Sequence, residues 1–468
     1  MMPREGMLGE AAALNALAEA LRASPADQTE IVLEAGSQAV TRFANNEIHQ
    51  NVLATRTRVA VRAVVGQAVA RAFTTSLAPE ALRAAIAAAT EAARRQGANP
   101  RFVGLPTPGA SPSTATVPPI FFATTAEQSP EARAAGVRLI IAATEAAGFT
   151  AFGTAITEVT ELAVVNSLGV RAYAATTGAF LRALIDNGQG TGYADALVRD
   201  AALLDPAALA AEAIHKCRLN VNQIELPPGD YAAVLEPNAV ADFVRFPVLY
   251  GLGAGTVESG RSFMAGKFGQ TVTGANITLG DDPLEPLCLP MPIDYEGMPA
   301  QAVGCIAGGV AQAVATDTAT ATRLGLAPNG HAASPWEAID EPEAGDSPLP
   351  EHVIMPGGTA TVDALTRDLA RGLRITRLHY THCPDPKRVV ATGTTRDGTF
   401  LVENGEIVAA VKNLRITQPV LELLASVEAM GQTKTCRDWW AANGMGTTTY
   451  LLPALRVGHC TVTGATTF

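Results

Sequence analysis

Apolar residues recur at helical spacing over 9–23, and a second run of this kind extends over 79–95. A proline and an acid open the second run and two arginines close it, which is typical of a helix whose ends match its dipole. Alternating apolar and polar residues over 52–73 predict an antiparallel strand pair that turns at Gly66, and an earlier turn is predicted at Gly36-Ser37. The first hundred residues therefore predict a small α/β unit.

A similar order of elements follows a segment rich in proline, serine and threonine at 104–119. Such a segment cannot form a ladder of backbone hydrogen bonds, so it predicts an extended linker. Beyond it, the pattern predicts a helix over 129–147, strands over 150–165 and 170–184, and a helix over 206–217. A second α/β unit is expected here.

The last part of the chain shows mainly strand patterns. A Pro-Pro-Gly sequence at 227–229 precedes a predicted strand over 231–235 and a predicted helix over 237–249. Further on, Asp397-Gly398 and Asn404-Gly405 each separate two apolar runs. Both residues of such a turn need positive φ, which Asn, Asp and Gly tolerate, so the pairs predict two hairpins of a β meander.

These elements predict an α+β protein, with two small N-terminal α/β lobes followed by a large, mostly antiparallel β-rich domain. The predicted boundaries are 1–104 for the first lobe, 105–119 for the linker, 120–226 for the second lobe and 227–468 for the C-terminal domain. A chain of 468 residues is long enough for this division.

Composition and charge narrow the classes of function. With 48% hydrophobic and 17% charged residues the chain can bury a large core. The formal net charge is −11 and the five lysines are scattered, which argues against nucleic acid or an anionic membrane as a partner. The start lacks the apolar core of a secretory signal, no 18-residue uncharged apolar run occurs, and six cysteines form no Cys-x-x-Cys pair. We therefore expect a cytoplasmic protein without disulfides.

Several motifs of the C-terminal part are family-specific. They include Gly260-Arg261-Ser262-Phe263-Met264-Ala265-Gly266-Lys267 and the segments 281–283, 295–299, 394–407 and 411–415. With the segments 45–48 and 59–66 of the first lobe, they give a resemblance that covers nearly the whole chain. The chain resembles the TldD/PmbA family of peptidase-like proteins.

The resemblance implies where a metal would bind in this family. TldD-type subunits look like metallopeptidases with a His-Glu-x-x-x-His helix and a cysteine ligand near the C-terminus, whereas PmbA/TldE-type subunits lack that motif. Counting from Leu235-Glu236-Pro237, its three key positions fall at Arg245, Phe246 and Tyr250, and no histidine lies between His215 and His331. An arginine does not deprotonate to become a ligand, so this chain is closest to the PmbA/TldE type. No catalytic residue and no cofactor are expected in it.

Two other arrangements stay open at His379-Tyr380-Thr381-His382-Cys383. In a strand, His379 and Cys383 share one face while His382 takes the other, so a metal on all three requires a bulge or strand end near Thr381. A cysteine nucleophile, Cys383 beside either histidine, is the second option. Cys436 lies near the family's C-terminal ligand cysteine but outside a glycine-rich setting, and without the histidines it would bind metal weakly.

Candidates for contact with peptide or partner are Arg261, His379, Arg396 and Asp397, with the last two at a predicted hairpin tip. The resemblance implies a dimer in which this chain pairs with a metal-bearing TldD-like subunit, which would hold zinc or iron, to enclose unfolded peptides. Arg245 and Tyr250 would help to line that chamber. Two alternatives remain: a divergent metallopeptidase active by itself through His379, His382 and Cys383, and a stand-alone peptide-binding homodimer without a peptidase link.

Overall fold

The computed structural model describes residues 7–108, 116–336, 347–437 and 448–465. The helices are α1 Glu10–Arg22, α2 Pro79–Arg95, α3 Ala123–Ala126, α4 Pro130–Ala146, α5 Pro206–Leu219, α6 Pro237–Gly251, α7 Ala254–Glu258, α8 Thr318–Leu324, α9 Val362–Arg367 and α10 Val420–Ala425, with a 3₁₀ turn at Ala201–Leu203. The strands are β1 Gln28–Ala44, β2 Glu47–Val65, β3 Ala68–Thr74, β4 Thr150–Asn166, β5 Arg171–Asp186, β6 Thr191–Val198, β7 Gly229–Leu235, β8 Leu279–Asp281, β9 Val303–Ala307, β10 Val310–Ala311, β11 His352–Ile354, β12 Arg371–Asp385, β13 Val390–Glu403, β14 Glu406–Ala410, β15 Leu414–Pro419, β16 Val427–Cys436 and β17 Thr449–Ala465.

The first six strands form one antiparallel sheet in the order β3-β2-β1-β4-β5-β6. The strands of both predicted lobes share this sheet, because β1 pairs with β4 along fourteen residues. Helices α1 and α2 cover one half of a face, and α4 and α5 cover the other half. The opposite face carries Val32, Ala60 and Val164, which pack against Met291 and Trp336 of the C-terminal part. The predicted boundaries stay predictions, and residues 109–115 of the linker lie outside the described residues.

Of three local predictions for this part of the chain, two are confirmed and one is wrong. The helix over 79–95 and the hairpin at Gly66, where φ is 62°, are confirmed. The turn at Gly36-Ser37 is wrong, because both residues lie inside β1. A Cβ on Gly36 would lie 2.0 Å from the Val159 carbonyl oxygen of β4, so the glycine allows a close approach of two strands.

The C-terminal part is built on an eleven-stranded, mostly antiparallel sheet. Within it, β7 pairs with both β12 and β17, which closes β17, β15, β13, β12 and β7 into a ring. Helix α6 packs against β12, β16 and β17, and its apolar residues belong to the largest core cluster. The predicted α+β class is confirmed.

The two predicted hairpins of the meander differ in outcome. The Asn404-Gly405 turn between β13 and β14 is confirmed, with φ of 50° and 80°. The Asp397-Gly398 turn is wrong, because β13 runs through both residues. Asp397 has φ 59° at a bulge, where the register against β12 shifts between Ile375 and Arg377.

No helix among the described residues combines the length and apolar character needed to cross a membrane.

Candidate functional site

Helix α6 carries the three positions at which the resemblance predicts a lost metal motif. Strand β7 leads into Glu236, the N-cap residue, and a proline occupies the first helical turn, where its missing N–H costs no hydrogen bond. Asp242 accepts a hydrogen bond from the Leu378 backbone N–H of β12 at 2.7 Å. These contacts fix both the start of the helix and its position on the sheet.

The side chains at the motif positions pack as a structural group. Phe246 is 1% exposed and its ring stacks on that of Tyr250, with centroids 6.5 Å apart and an angle of 4° between the planes. The Arg245 guanidinium carbon lies 5.9 Å from the centroid of the Phe246 ring. Arg245 and Tyr250 are partly exposed, so this helix presents a cation and a phenol at its surface.

These residues do not fit the divalent metal that TldD-type subunits are expected to hold. A guanidinium stays protonated and has no lone pair to donate, and a phenylalanine ring offers no ligand atom. Within the described ranges, no group of three or more His, Cys, Asp or Glu side chains is placed to hold a metal ion. The motif positions of this chain therefore offer no set of metal ligands.

The histidine-bearing end of β12 departs from a regular strand. The register against β13 shifts between His379 and His382, and Tyr380 between them has φ 54° and is 64% exposed. The irregularity that a shared metal would require is present, but His379, His382 and Cys383 do not form a metal-holding group in the described structure. His382 is exposed and Cys383 is half-buried.

His379 instead pairs with an arginine of the neighbouring strand. Its Nε2 lies 3.2 Å from Arg396 Nη1, which donates a hydrogen bond. Partial burial and the positive charges of Arg396 and Arg377 lower the pKa of His379 to about 4. At neutral pH the imidazole is uncharged, so its Nε2 accepts the hydrogen bond from Arg396.

Asp397 lies in the interior at the bulge of β13, so its predicted position at a hairpin tip is wrong. It is 2% exposed, and its carboxylate accepts hydrogen bonds from Arg377 Nε and Thr191 Oγ1, each at 2.6 Å. Burial raises the pKa of Asp397, but the Arg377 charge and the Thr191 hydrogen bond outweigh burial and lower it. Thr191 belongs to β6, so this contact joins the N-terminal sheet to the C-terminal part. Arg396 remains exposed.

A second buried carboxylate, that of Asp195 on β6, extends this junction. Asp195 accepts hydrogen bonds from Lys434 Nζ at 2.8 Å, from the Tyr193 hydroxyl at 2.8 Å and from Asn238 Nδ2 at 2.9 Å. The Arg377 guanidinium lies over the Tyr193 ring, 4.4 Å from its centroid. We call Tyr193, Asp195, Arg377, Asp397 and Lys434 the β6 polar cluster. The sequence did not predict this cluster, although it named Asp397 as a candidate for contact with peptide or partner.

The remaining candidates lie elsewhere. Arg261 follows α7 and lines a cleft against β3, whereas Asp397 contacts β6. Since β3 and β6 are the two edges of a six-stranded sheet, five strand spacings, or about 24 Å, separate the two places. Cys436 is buried, with its Sγ 3.5 Å from the Pro237 carbonyl oxygen. Burial, aided by Asp195, raises its pKa well above the usual range, so it remains a thiol.

Comparisons with known proteins agree with this architecture. A family model described as the PmbA/TldA metallopeptidase C-terminal domain matches residues 228–464, and one described as PmbA/TldA metallopeptidase domain 1 matches residues 29–93. A curated relative from Methanothermobacter thermautotrophicus, described as a metalloprotease, is 26% identical over 207 residues. This match covers 44% of the chain and 43% of the relative, so it spans less than half of either protein.

Solved structures extend the likeness to the whole fold. The crystal structure of TldE from Thermococcus kodakarensis has a TM-score of 0.85 at 21% identity and covers 96% of this chain and 100% of that one. A structure from Thermotoga maritima has a TM-score of 0.78 at 18% identity, covering 93% and 96%. The C-terminal family match spans just over half of the 468 residues and includes α6 and the members of the β6 polar cluster on β12, β13 and β16. The chain therefore belongs to the PmbA/TldD family of metallopeptidase-related proteins, and its fold is similar to that of TldE.

Proposed function

We propose that this chain is a non-catalytic, TldE-like subunit that pairs with a metal-bearing TldD-like peptidase and presents unfolded peptides to it. The observation that carries the proposal is the packing at the motif positions of α6. Phe246 fills the core and stacks on Tyr250, while Arg245 adds a positive charge beside them. A helix with these side chains would form part of the wall of the peptide chamber, and the zinc or iron would be bound by the partner.

An unpaired strand edge supports a role in binding extended chains. Strand β3 pairs with β2 only over Val59–Val65, and no described strand pairs with the outer edge of residues 47–58. Each residue of 49–56 is exposed, including Val52 and Leu53 at 41% and 47%. A peptide or partner strand that adds here would gain main-chain hydrogen bonds with little sequence preference.

The exposed end of β12 and β13 offers side-chain contacts of the kind a presenting subunit needs. Tyr380 and Arg396 project from neighbouring strands beside the uncharged His379. Together they provide an aromatic surface and hydrogen-bond donors for peptide carbonyl groups. We also propose a reducing compartment such as the cytoplasm, which suits six free cysteines, five of them buried.

Reconstitution with a TldD-like chain tests the proposal. We expect no cleavage of an unfolded casein-derived peptide by this chain alone, a stable complex in size-exclusion chromatography, and greatly increased cleavage by the mixture. Chelation of the partner's metal should abolish that activity. The double variant Val52→Lys/Leu53→Lys should weaken association or peptide binding, whereas Leu139→Lys, at another exposed leucine, on α4, should not.

Two outcomes would overturn the proposal. The first is cleavage by the isolated chain that is lost in His382→Ala or Cys383→Ala, which would assign an independent peptidase to β12. The second is a stable homodimer that ignores every TldD-like chain, which would assign a separate binding function.

A further inference from the structure

A cleft of about 590 Å³ lies between the N-terminal sheet and the C-terminal part. One wall comes from β3 and the segment after α2, which includes Arg101, and the other comes from α7, α8 and Arg261. This volume is within the range of small-molecule sites in proteins. Since the two walls come from different parts of the chain, a molecule bound here would contact both.

The cleft is rich in positive charge although the chain as a whole carries −11. Five arginines and two acidic residues line it, an excess of three positive charges. The arginines are Arg62, Arg71, Arg101, Arg261 and Arg323, and the acids are Glu258 and Asp317.

Two of these arginines bind one carboxylate, that of Glu258, at the mouth of the cleft. Arg323 binds Glu258 through two parallel hydrogen bonds, Nε to Oε1 at 2.7 Å and Nη2 to Oε2 at 3.0 Å. Arg101 donates to the same Oε2, and its backbone carbonyl accepts from Arg323 Nη1 at 3.0 Å. Arg261, which donates from its Nε to Ser259 Oγ at 3.1 Å, is exposed and lines the same cleft. One carboxylate therefore orders two guanidinium groups and leaves the positive charge at the mouth in excess.

The positive charge of Arg62, another lining residue, is compensated by neighbouring carboxylates. Arg62 donates to Glu30 Oε2 at 2.8 Å and to Glu296 Oε1 at 3.2 Å, so two carboxylates compensate its charge. Its Nε is buried and has no hydrogen-bond partner in the described structure. Arg62 therefore adds no net positive charge, and the excess lies on the other lining arginines, of which Arg71, Arg101 and Arg261 are exposed.

We propose that this cleft is a binding site for a small polyanion that carries two or more carboxylate or phosphate groups. Guanidinium groups suit these ligands because their planar N–H pairs match two oxygen atoms at once. The fixed positions of Arg101 and Arg323, one on each wall, reduce the ordering cost of binding, and Arg261 supplies further donors from the wall that carries Arg323. This site goes beyond the proposed subunit role and does not depend on it.

Isothermal titration of the full chain with citrate and, separately, with pyrophosphate tests the site. We expect at least one probe to bind with a Kd below 1 mM, more weakly at higher salt, with Arg261→Gln and Arg101→Gln each reducing the affinity about tenfold. Both arginines are exposed, so the variants should keep the parent's melting temperature. Arg388→Gln, an exposed arginine at the turn before β13, is the matched control and should bind normally.

The two probes distinguish the sources of the anion. Tighter binding of citrate would assign a polycarboxylate, and tighter binding of pyrophosphate would assign a phosphate ester or diphosphate. Absence of binding by both probes, or equal binding by the parent and both cleft variants, would overturn the proposal.

Discussion

Replacing Glu236 with glutamine removes one charge from a buried ion network while it keeps the shape of the side chain. The Glu236 side chain is 7% exposed, and its two oxygens accept hydrogen bonds from Lys216 Nζ at 2.7 Å and Arg374 Nε at 2.9 Å. Lys216 lies on α5 and Arg374 on β12, so the network joins the N-terminal part to the start of α6.

The pKa of Glu236 sets the size of the expected effect. Burial raises this pKa, but the charges of Lys216 and Arg374 overcome burial and lower it from 4.5 to about 2. Each tenfold change in proton affinity is worth ~1.4 kcal/mol, so the charged carboxylate stabilises the folded state by about 3 kcal/mol. Because the folded pKa is the lower one, this contribution is fully present above pH 4.5 and is lost as the pH falls towards 2.

Urea unfolding followed by circular dichroism, at several pH values from 7 down to 3, measures this contribution. At pH 7 Glu236→Gln should lower the free energy of unfolding by about 3 kcal/mol, and the difference should shrink as the pH falls, because glutamine mimics the protonated acid. Glu225→Gln, which breaks an exposed ion pair with Lys412, is the control and should change stability little. A loss at pH 7 that persists unchanged at low pH would refute the electrostatic reasoning, and no loss at pH 7 would show that the network adds no net stability.

Three further predictions concern packing and the surface of β12. Gly36→Ala should lower the free energy of unfolding by about 3 kcal/mol or more, because the added Cβ would lie 2.0 Å from a backbone oxygen. The control Gly97→Ala, at a glycine with open space around it, should be tolerated. Equal effects of the two substitutions would refute the close approach of β1 and β4 as the cause. Phe246→Ala should cost about 3–5 kcal/mol in thermal or urea unfolding, and a loss below 1 kcal/mol would contradict its place in the core. Arg396→Gln should raise the pKa of His379 from about 4, seen in the ¹H–¹³C NMR titration of the signal that His379→Asn removes, and an unchanged value would exclude the guanidinium as a cause.

Sequence reasoning succeeded where short-range chemistry decides the structure. The helix α2 follows from its terminal residues, and the Asn404-Gly405 turn follows from positive φ at both positions. The helix predicted over 237–249 also forms, as α6. In each case the determining groups lie within a few residues of one another.

The errors arose where distant parts of the chain decide. Asp397-Gly398 has residue types typical of a turn. The Asp397 carboxylate, however, binds Arg377 on the neighbouring strand β12 and Thr191 on β6, and the pair forms a bulge within β13. Gly36-Ser37 also has residue types typical of a turn. Gly36 instead lies inside β1, where the absence of a side chain lets β4 approach closely. The β6 polar cluster could not be predicted from the sequence, because its members are separated by up to 241 positions, from Tyr193 to Lys434.

The packing on α6 also opposes a metal ligand at the position of Phe246. A metal site stabilises the folded state through its ligand bonds, and a chain without the metal must obtain that stability elsewhere. Here Phe246 contributes by complete burial and by its stack on Tyr250. A glutamate at this position would bury a carboxylate in an apolar core, at a cost of several kcal/mol, unless new partners formed around it. The aromatic pair therefore stabilises the helix without a metal, and the same packing opposes a carboxylate ligand at this position.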